Sequence, residues 1–280
     1  MGCTGSIGKY YQNTETRLME KVIILKAGGN IIDDEQQLTA FLQAFAAIAG
    51  KKILIHGGGK LATRMAAQLA LPQQMVDGRR ITDAETLKIV TMVYAGYINK
   101  NIVAQLQAFQ CNAIGLTGAD GNIIQAHKRI HPTIDYGFVG DVEGINTTLL
   151  QQLLNNNCSI VLAPITHNGY GQLLNTNADT IAQEIAAALA QNYGVSLIYL
   201  FEKAGVLIDV HNDASVIPSI TPQQFAQLKA QGIIADGMLP KLENAFTALQ
   251  KGVQRVIIGK ANVLPELLSG TSGTTLTMGT

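Results

Sequence analysis

Six short apolar runs recur along the chain: VIILK (22–26), KILIH (52–56), AIGLT (113–117), SIVLAP (159–164), SLIYLF (196–201) and RVIIG (255–259). They are apolar throughout rather than alternating, the pattern of strands covered on both faces. Between them apolar residues return every three or four positions. In DEQQLTAFLQAFAAIAG (34–50), Leu38, Phe41, Leu42, Phe45 and Ile48 fall on one helical face. Segments 83–109 and 177–194 behave likewise. Strand, turn and helix in repetition predict crossover connections and a largely parallel sheet, an α/β fold. The pattern breaks between 121 and 146, where NIIQAHKRIHPTIDYGFVGDVEGIN is turn-rich with short extended pieces. That stretch predicts hairpins inserted at a sheet edge. No shift in composition marks a boundary, and the division is placed near residue 190, giving segments 1–20, 21–190 and 191–280.

Composition narrows what such a fold can do. Of 280 residues, 47% are apolar and 14% charged, enough for a large core and incompatible with global disorder. Twenty Lys and Arg balance twenty Asp and Glu, so no surplus positive field exists for nucleic acid or an anionic membrane. Any bound anion must be caught by a few local groups. Cys3, Cys111 and Cys158 are odd in number and form no CxxC pair, which argues for a reducing compartment and against a disulfide frame or structural zinc. No apolar run approaches the ~20 residues that span a bilayer, and the first twenty residues lack a signal-peptide core. The opening MGCTGS fits the loose M-G-x-x-x-[ST] acylation pattern, a six-residue match of low specificity. A cytoplasmic protein is expected.

The chemistry gathers at the strand ends. In a parallel sheet ligands collect at the carboxyl edge, and there the chain carries KAGGN (26–30), HGGGK (56–60), GLTGADG (115–121) and APITHNGYG (163–171). Glycines after strands let backbone N–H groups approach an anion, and helix N-termini add a favourable dipole. One such turn is usually just a tight turn; several, two of them with a lysine, point to an anion. A buried strand finishing on Lys26 says the same. HGGGK is no P-loop, because Leu54 stands where the first glycine is required and Leu61 where Ser or Thr is. Gly57, Gly59 and Ala62 do fit a dinucleotide fingerprint, but the acid it expects could only be Asp77, in a turn. In LLNTNADTIAQEIA (173–186), Asn175, Asn177 and Asp179 precede an apolar helix. Helix capping alone is one reading, but it needs only one or two such residues; the other is that a third leaves a carboxylate free to organise cations. Lys241, after Gly237 and Pro240, sits where the helix dipole disfavours a cation; it is either solvated or aimed at an anion.

These residues resemble the amino acid kinases, and within them the N-acetylglutamate kinases of arginine biosynthesis. KAGGN and HGGG resemble the family's two glycine loops, GRRIT (78–82) its G-x-R-[VI]-T, LLNTNAD (173–179) its Asn-x-Asn-Ala-Asp and DGMLPK (236–241) its Gly-Met-x-x-Lys. Five motifs in order from residue 21 make the resemblance specific. It implies that Lys26 and Lys241 contact the phosphoryl group in flight while Asp179 holds both lysines. Gly58, Gly59, Arg80 and Asn175 would bind the acylated glutamate, Arg80 through the α-carboxylate. Gly29 would donate its N–H to the γ-phosphate. EKAGVL (202–207) and IIA (233–235), with Glu202, Gly205, Leu207, Ile234 and Ala235, would line the ATP site. The fold implied is an open αβα sandwich of two lobes, residues 21–190 for the acyl amino acid and dimerisation and 191–280 for the nucleotide. Mg²⁺ would arrive with ATP, held by phosphates and water rather than by protein ligands. A homodimer is expected, or a hexamer if residues 10–21 form the N-terminal helix that links dimers in arginine-inhibited relatives. An unstructured tail is an equal reading of that segment.

The chemistry is coherent with the residues. A carboxylate is already ionised at neutral pH, so its phosphorylation needs no general base. Lysines, glycine N–H groups and phosphate-bound Mg²⁺ can supply positioning and charge neutralisation. One departure stands out: where the family has Thr/Ser-Asp-Val, this chain has Phe201, Glu202 and Lys203. The acyl group stays open between acetyl and succinyl, for which Lys128, Arg129 and His131 offer a cation or a solvated edge. Other amino acid kinases, a non-catalytic nucleotide- or arginine-binding module and a dinucleotide oxidoreductase are the alternatives.

Overall fold

The computed structural model describes residues 19–76, 79–234 and 238–279. Residues 1–18, with Cys3 and most of the expected N-terminal helix, lie outside them, as do Gly78 and 235–237. An eight-stranded sheet has the order Ser219–Ile220, Thr274–Leu276, Arg255–Lys260, Gly194–Phe201, Lys21–Ala27, Lys51–His56, Ser159–Leu162, Ala113–Leu116. The six expected runs are its six mutually parallel strands. Only the short C-terminal strand Thr274–Leu276 runs antiparallel to its neighbour Arg255–Lys260, with Ser219–Ile220 parallel to it at the edge. The division near residue 190 falls between helix Ala178–Leu189 and strand Gly194–Phe201, and one sheet continues on both sides of it.

Successive strand residues point to opposite faces, and here both faces are buried. Val22 and Ile24, Ile53 and Ile55, Ile160 and Leu162, and Val195 and Leu197 enter one core. Helices Thr147–Asn155, Ala178–Leu189 and Leu239–Gln250 cover it, through Leu150, Ile181, Ile185, Leu242 and Leu249 among others. The intervening Leu25, Leu54, Val161 and Ile198 enter the second core, under Glu35–Ala47, the 84–108 helical segment and Leu264–Ser269. That two-sided burial is why the strands read as continuous apolar runs. Leu38, Phe41, Leu42 and Phe45 form the buried stripe of Glu35–Ala47, which Asp34 caps by accepting from the Gln37 N–H at 2.9 Å. The long segment expected over 83–109 is one helical run with a π turn at Thr91–Ile98.

The 121–146 region corrects one expectation. Ile124–Lys128 and Val139–Ile145 do pair as an antiparallel hairpin, with a bulge at Gln125/Ala126. They do not extend the edge of the main sheet, however. The chain leaving Ser159–Leu162 doubles back as Ile165–His167 and Leu173–Thr176, whose open edges accept the hairpin and close a four-stranded barrel. Pairing of Asn175 with Val139 carries that asparagine to the carboxyl edge of the sheet. Among the described residues no helix is long and apolar enough to cross a membrane.

Candidate active site

Lys26 lies near the end of the Lys21–Ala27 strand, opposite Tyr199 and Ile55 of its neighbours. Its Nζ stands 2.9 Å from Asp179 Oδ1, and the two side chains are 12% and 24% exposed. The approach angle is not that of a hydrogen bond, and Oδ1 has no other donor among the described residues. The contact is a charge pair whose carboxylate keeps capacity for a second cation. Asp179 sits in the first turn of Ala178–Leu189, where the helix dipole favours a carboxylate. Asn177 does the capping, its Oδ1 accepting from the N–H groups of Asp179 (2.8 Å) and Thr180 (3.1 Å). Asn175 donates to Thr82 Oγ1 at 3.0 Å. The three polar residues of NTNAD thus divide into three tasks.

Lys241, in the first turn of Leu239–Gln250, faces the same region. Burial is the main cause of its lowered pKa; Lys26 adds to that effect, while Asp179 and Glu202 oppose it. Its Nζ lies over the Phe201 ring, 3.8 Å from the centroid. Lys26, Gly28, Gly29, Glu202, Lys241 and Lys260 line a hollow of about 950 Å³ at the carboxyl edge. The fold therefore brings 26, 179 and 241 to one place. Of the other residues expected around ATP, Gly205 packs against Thr274 and Val216, Leu207 bridges to Val216, and Ile234 is buried in the first core. Those three do not line the hollow, and Ala235 lies outside the described residues.

A second, smaller hollow of about 170 Å³ is lined by Gly58, Gly59, Arg80 and Asn175, with Tyr94 and Arg129 beside them. Arg80 is 7% exposed. It donates to Gly59 O and Thr63 Oγ1 at 2.9 Å and to Gln73 Oε1 at 2.5 Å, leaving part of its five-donor fork for a ligand. Gly58 has φ +151°, a conformation that requires glycine, and a Cβ there would stand 2.3 Å from Ile98 Cδ1, so that side chain would have to shift. Buried His56, just before this loop, has its pKa pushed down to about 4 chiefly by desolvation. Gly57 N–H donates to Ala27 O at 3.1 Å, tying the two glycine loops together.

Three residues beside these hollows carried no assignment from the sequence. Tyr94 belongs to an apolar stretch of the long helical segment, where an aromatic reads as core. Asp33, near Gly29, has its carboxyl pKa raised by burial against the lowering influence of Arg64 and Lys60. Lys60 itself reaches across to Asn30 Oδ1 in the other loop. Lys260 ends its strand as Lys26 nearly ends another, a signal present in the sequence. It pairs with Asp213 at 2.8 Å.

An arrangement of lysines, backbone N–H groups and one carboxylate between two hollows can accept a polyanion on one side and a small carboxylate on the other. Comparison with known proteins agrees. The chain is 56% identical over 249 residues to the acetylglutamate kinase of Phocaeicola vulgatus, covering 89% of this chain and 97% of that protein. It is 55% identical over 252 residues to that of Cytophaga hutchinsonii, covering 90% and 96%. Among solved structures, N-acetylglutamate synthase from Neisseria gonorrhoeae, complexed with coenzyme A and N-acetyl-glutamate, superposes with a TM-score of 0.78 at 19% identity. That likeness covers 92% of this chain and 60% of the synthase, and it speaks for the fold alone. With residues 21–260 matching the family's pattern from the first strand to the end of the last parallel one, the chain belongs to the amino acid kinase family.

Proposed function

We infer that the protein phosphorylates the γ-carboxylate of an N-acylated L-glutamate, N-acetyl-L-glutamate first, with ATP as donor, in arginine biosynthesis. The relatives named acetylglutamate kinase support this reading. The observation that carries it here is the Lys26–Asp179 pair beside Lys241, between a large hollow and a small one that contains a buried arginine.

In the proposed reaction a γ-carboxylate oxygen attacks the γ-phosphorus, the bond to the β,γ-bridging oxygen breaks, and ADP leaves with that electron pair. No proton moves at the nucleophile. Arg80, with Asn175 and the Gly58–Gly59 backbone, orients the acylglutamate; the Gly29 N–H and the two lysines meet the charge on the transferring group. Asp179 keeps Lys26 in place between turnovers. Among the described residues no three carboxylate, imidazole or thiol groups come close enough to hold a metal. A Mg²⁺ arriving with ATP, held by phosphates and water, would supply charge neutralisation when bound, beside Lys26 and Lys241. Glu202, on the wall of the large hollow, faces the nucleotide in this reading, while Gly205, Leu207 and Ile234 stand off it. In this reading the 21–190 segment supplies the acyl amino acid side and a homodimer contact, 191–280 the nucleotide side, and the protein works in the cytoplasm.

A second acyl group has an observation in its favour. Arg129 lines the small hollow, where its guanidinium is held by both oxygens of Asp141. A succinyl carboxylate would find a cation there that an acetyl group does not need. ATP turnover with N-acetyl- and N-succinyl-L-glutamate, trapping the acyl phosphate with hydroxylamine, tests both. Turnover with either supports the kinase reading and names the acyl group. Silence with both from folded, ATP-binding protein overturns it.

A further inference from the structure

We propose that Phe201 positions Lys241 for phosphoryl transfer by holding its ammonium group against the face of the phenyl ring. The proposal rests on the function inferred above, since it presumes that Lys241 meets the transferring group.

Phe201 ends the Gly194–Phe201 strand, and Tyr199, two residues earlier, points to the same side. The two rings are stacked, with centroids 6.2 Å apart and planes 24° from parallel. Tyr199 is 3% exposed, and its hydroxyl donates to the Asp179 carbonyl at 3.3 Å. The Phe201 ring thus rests on a fixed base that is itself tied to the helix start carrying Asp179. Above it, Lys241 Nζ stands 3.8 Å from the centroid. Cations are attracted to a ring face within about 6 Å through the ring quadrupole, and the attraction grows with desolvation. Lys241 is partly desolvated, which is the main reason its pKa is lowered.

The two lysines therefore have different resting partners. Lys26 rests on a carboxylate; Lys241, for which no ion pair is found among the described residues, rests on a ring. The difference has a chemical use. A lysine held by a carboxylate must give up a full charge pair to reach a phosphoryl oxygen. A lysine held by a ring gives up less, and it still feels the charges of Asp179 and Glu202. The gap between the lysines stays open for an anion. A hydroxyl side chain at 201 supplies no such face. Phe201 also packs against the first core, so an apolar plug is the competing role.

The test separates ring face from apolar bulk. Steady-state kinetics would be measured for Phe201→Leu, Phe201→Tyr and Phe201→Trp with the better acylglutamate. We expect Phe201→Leu to lower kcat about ten-fold, the scale of a desolvated cation–π contact, with KM for acylglutamate nearly unchanged. Tyr and Trp should restore most of the rate. A Leu variant as fast as wild type, or Leu, Tyr and Trp variants falling together, overturns the proposal. An activity-independent readout is the NMR shift of the Lys241 ε-methylene, assigned with Lys241→Arg: upfield in wild type through the ring current and normal in Phe201→Leu. Absence of the upfield shift overturns the proposal whatever the rates. If wild type turns over neither acylglutamate, the inferred function fails and the catalytic part of this proposal with it, while the shift still reports the contact.

Discussion

The Asn99 side-chain nitrogen stands 3.2 Å from His56 Nε2, and His56 Nδ1 stands 2.8 Å from the Gly57 carbonyl. A carbonyl only accepts, so Nδ1 carries the proton and Nε2 receives the Asn99 amide. The imidazole is neutral and both its nitrogens are satisfied inside the core, directly behind a glycine loop of the candidate site.

That neutrality gives a pH dependence. The folded-state pKa of about 4 lies below the ordinary 6.5, so between those values the unfolded chain binds more protons than the folded one. Stability then rises with pH across the window and is lost as pH falls through it, by up to ~3 kcal/mol. Thermal melts from pH 7 to 4 should show a falling midpoint. His56→Gln should start lower and fall less steeply; an equal slope in both would remove His56 as the cause.

Gly58 predicts a stability cost with a partial rescue. Gly58→Ala meets an unfavourable φ and the Ile98 side chain, together roughly 2–5 kcal/mol. Adding Ile98→Ala should remove the clash but leave the backbone strain. Denaturant midpoints for the single and double variants check this; a double variant no better than additive would show that the contact is not the source.

For the Lys26–Asp179 pair the expected loss is in turnover rather than folding. Lys26→Ala should lower kcat by about 10²–10³, the scale of removing one preorganised donor to developing charge. Asp179→Asn should lower it less, since the lysine remains but loses its resting place. The hydroxamate assay reads both. Wild-type kcat in Lys26→Ala would remove Lys26 from the reaction.

Arg80→Lys predicts a different split. A lysine cannot reproduce a fork that serves Gly59, Thr63 and Gln73 at once. KM for acylglutamate should rise by roughly ten-fold or more, with KM for ATP little moved. An equal rise in both would place Arg80 outside the acylglutamate pocket.

The sheet was legible because both its faces are buried: continuous apolar runs are what such strands look like, and all six were found in order. Lys26 was legible as a cation at the end of an apolar strand. The same rule marks Lys260, one residue past the apolar run RVIIG. Other features have no local signature. Ile165–His167 and Leu173–Thr176 are too short to announce themselves, so the barrel they close with 124–145 could not be read from either segment alone. Tyr94 obeys helical periodicity, and periodicity says which face is buried, not what the buried face adjoins. Phe201 was visible as a departure, but its partner lies forty residues away, on another element.

The Gly57 N–H to Ala27 carbonyl bond continues strand pairing one residue past the end of Lys51–His56. It ties the backbone between Lys26 and Gly28, beside the large hollow, to Gly57 on the lining of the small one. A ligand that stills one loop prepares the other, so each substrate should tighten the other's binding, and by the same factor whichever is added first. Calorimetric titration of acylglutamate with and without a non-hydrolysable ATP analogue measures that factor; a value of one would mean that the shared backbone carries no message.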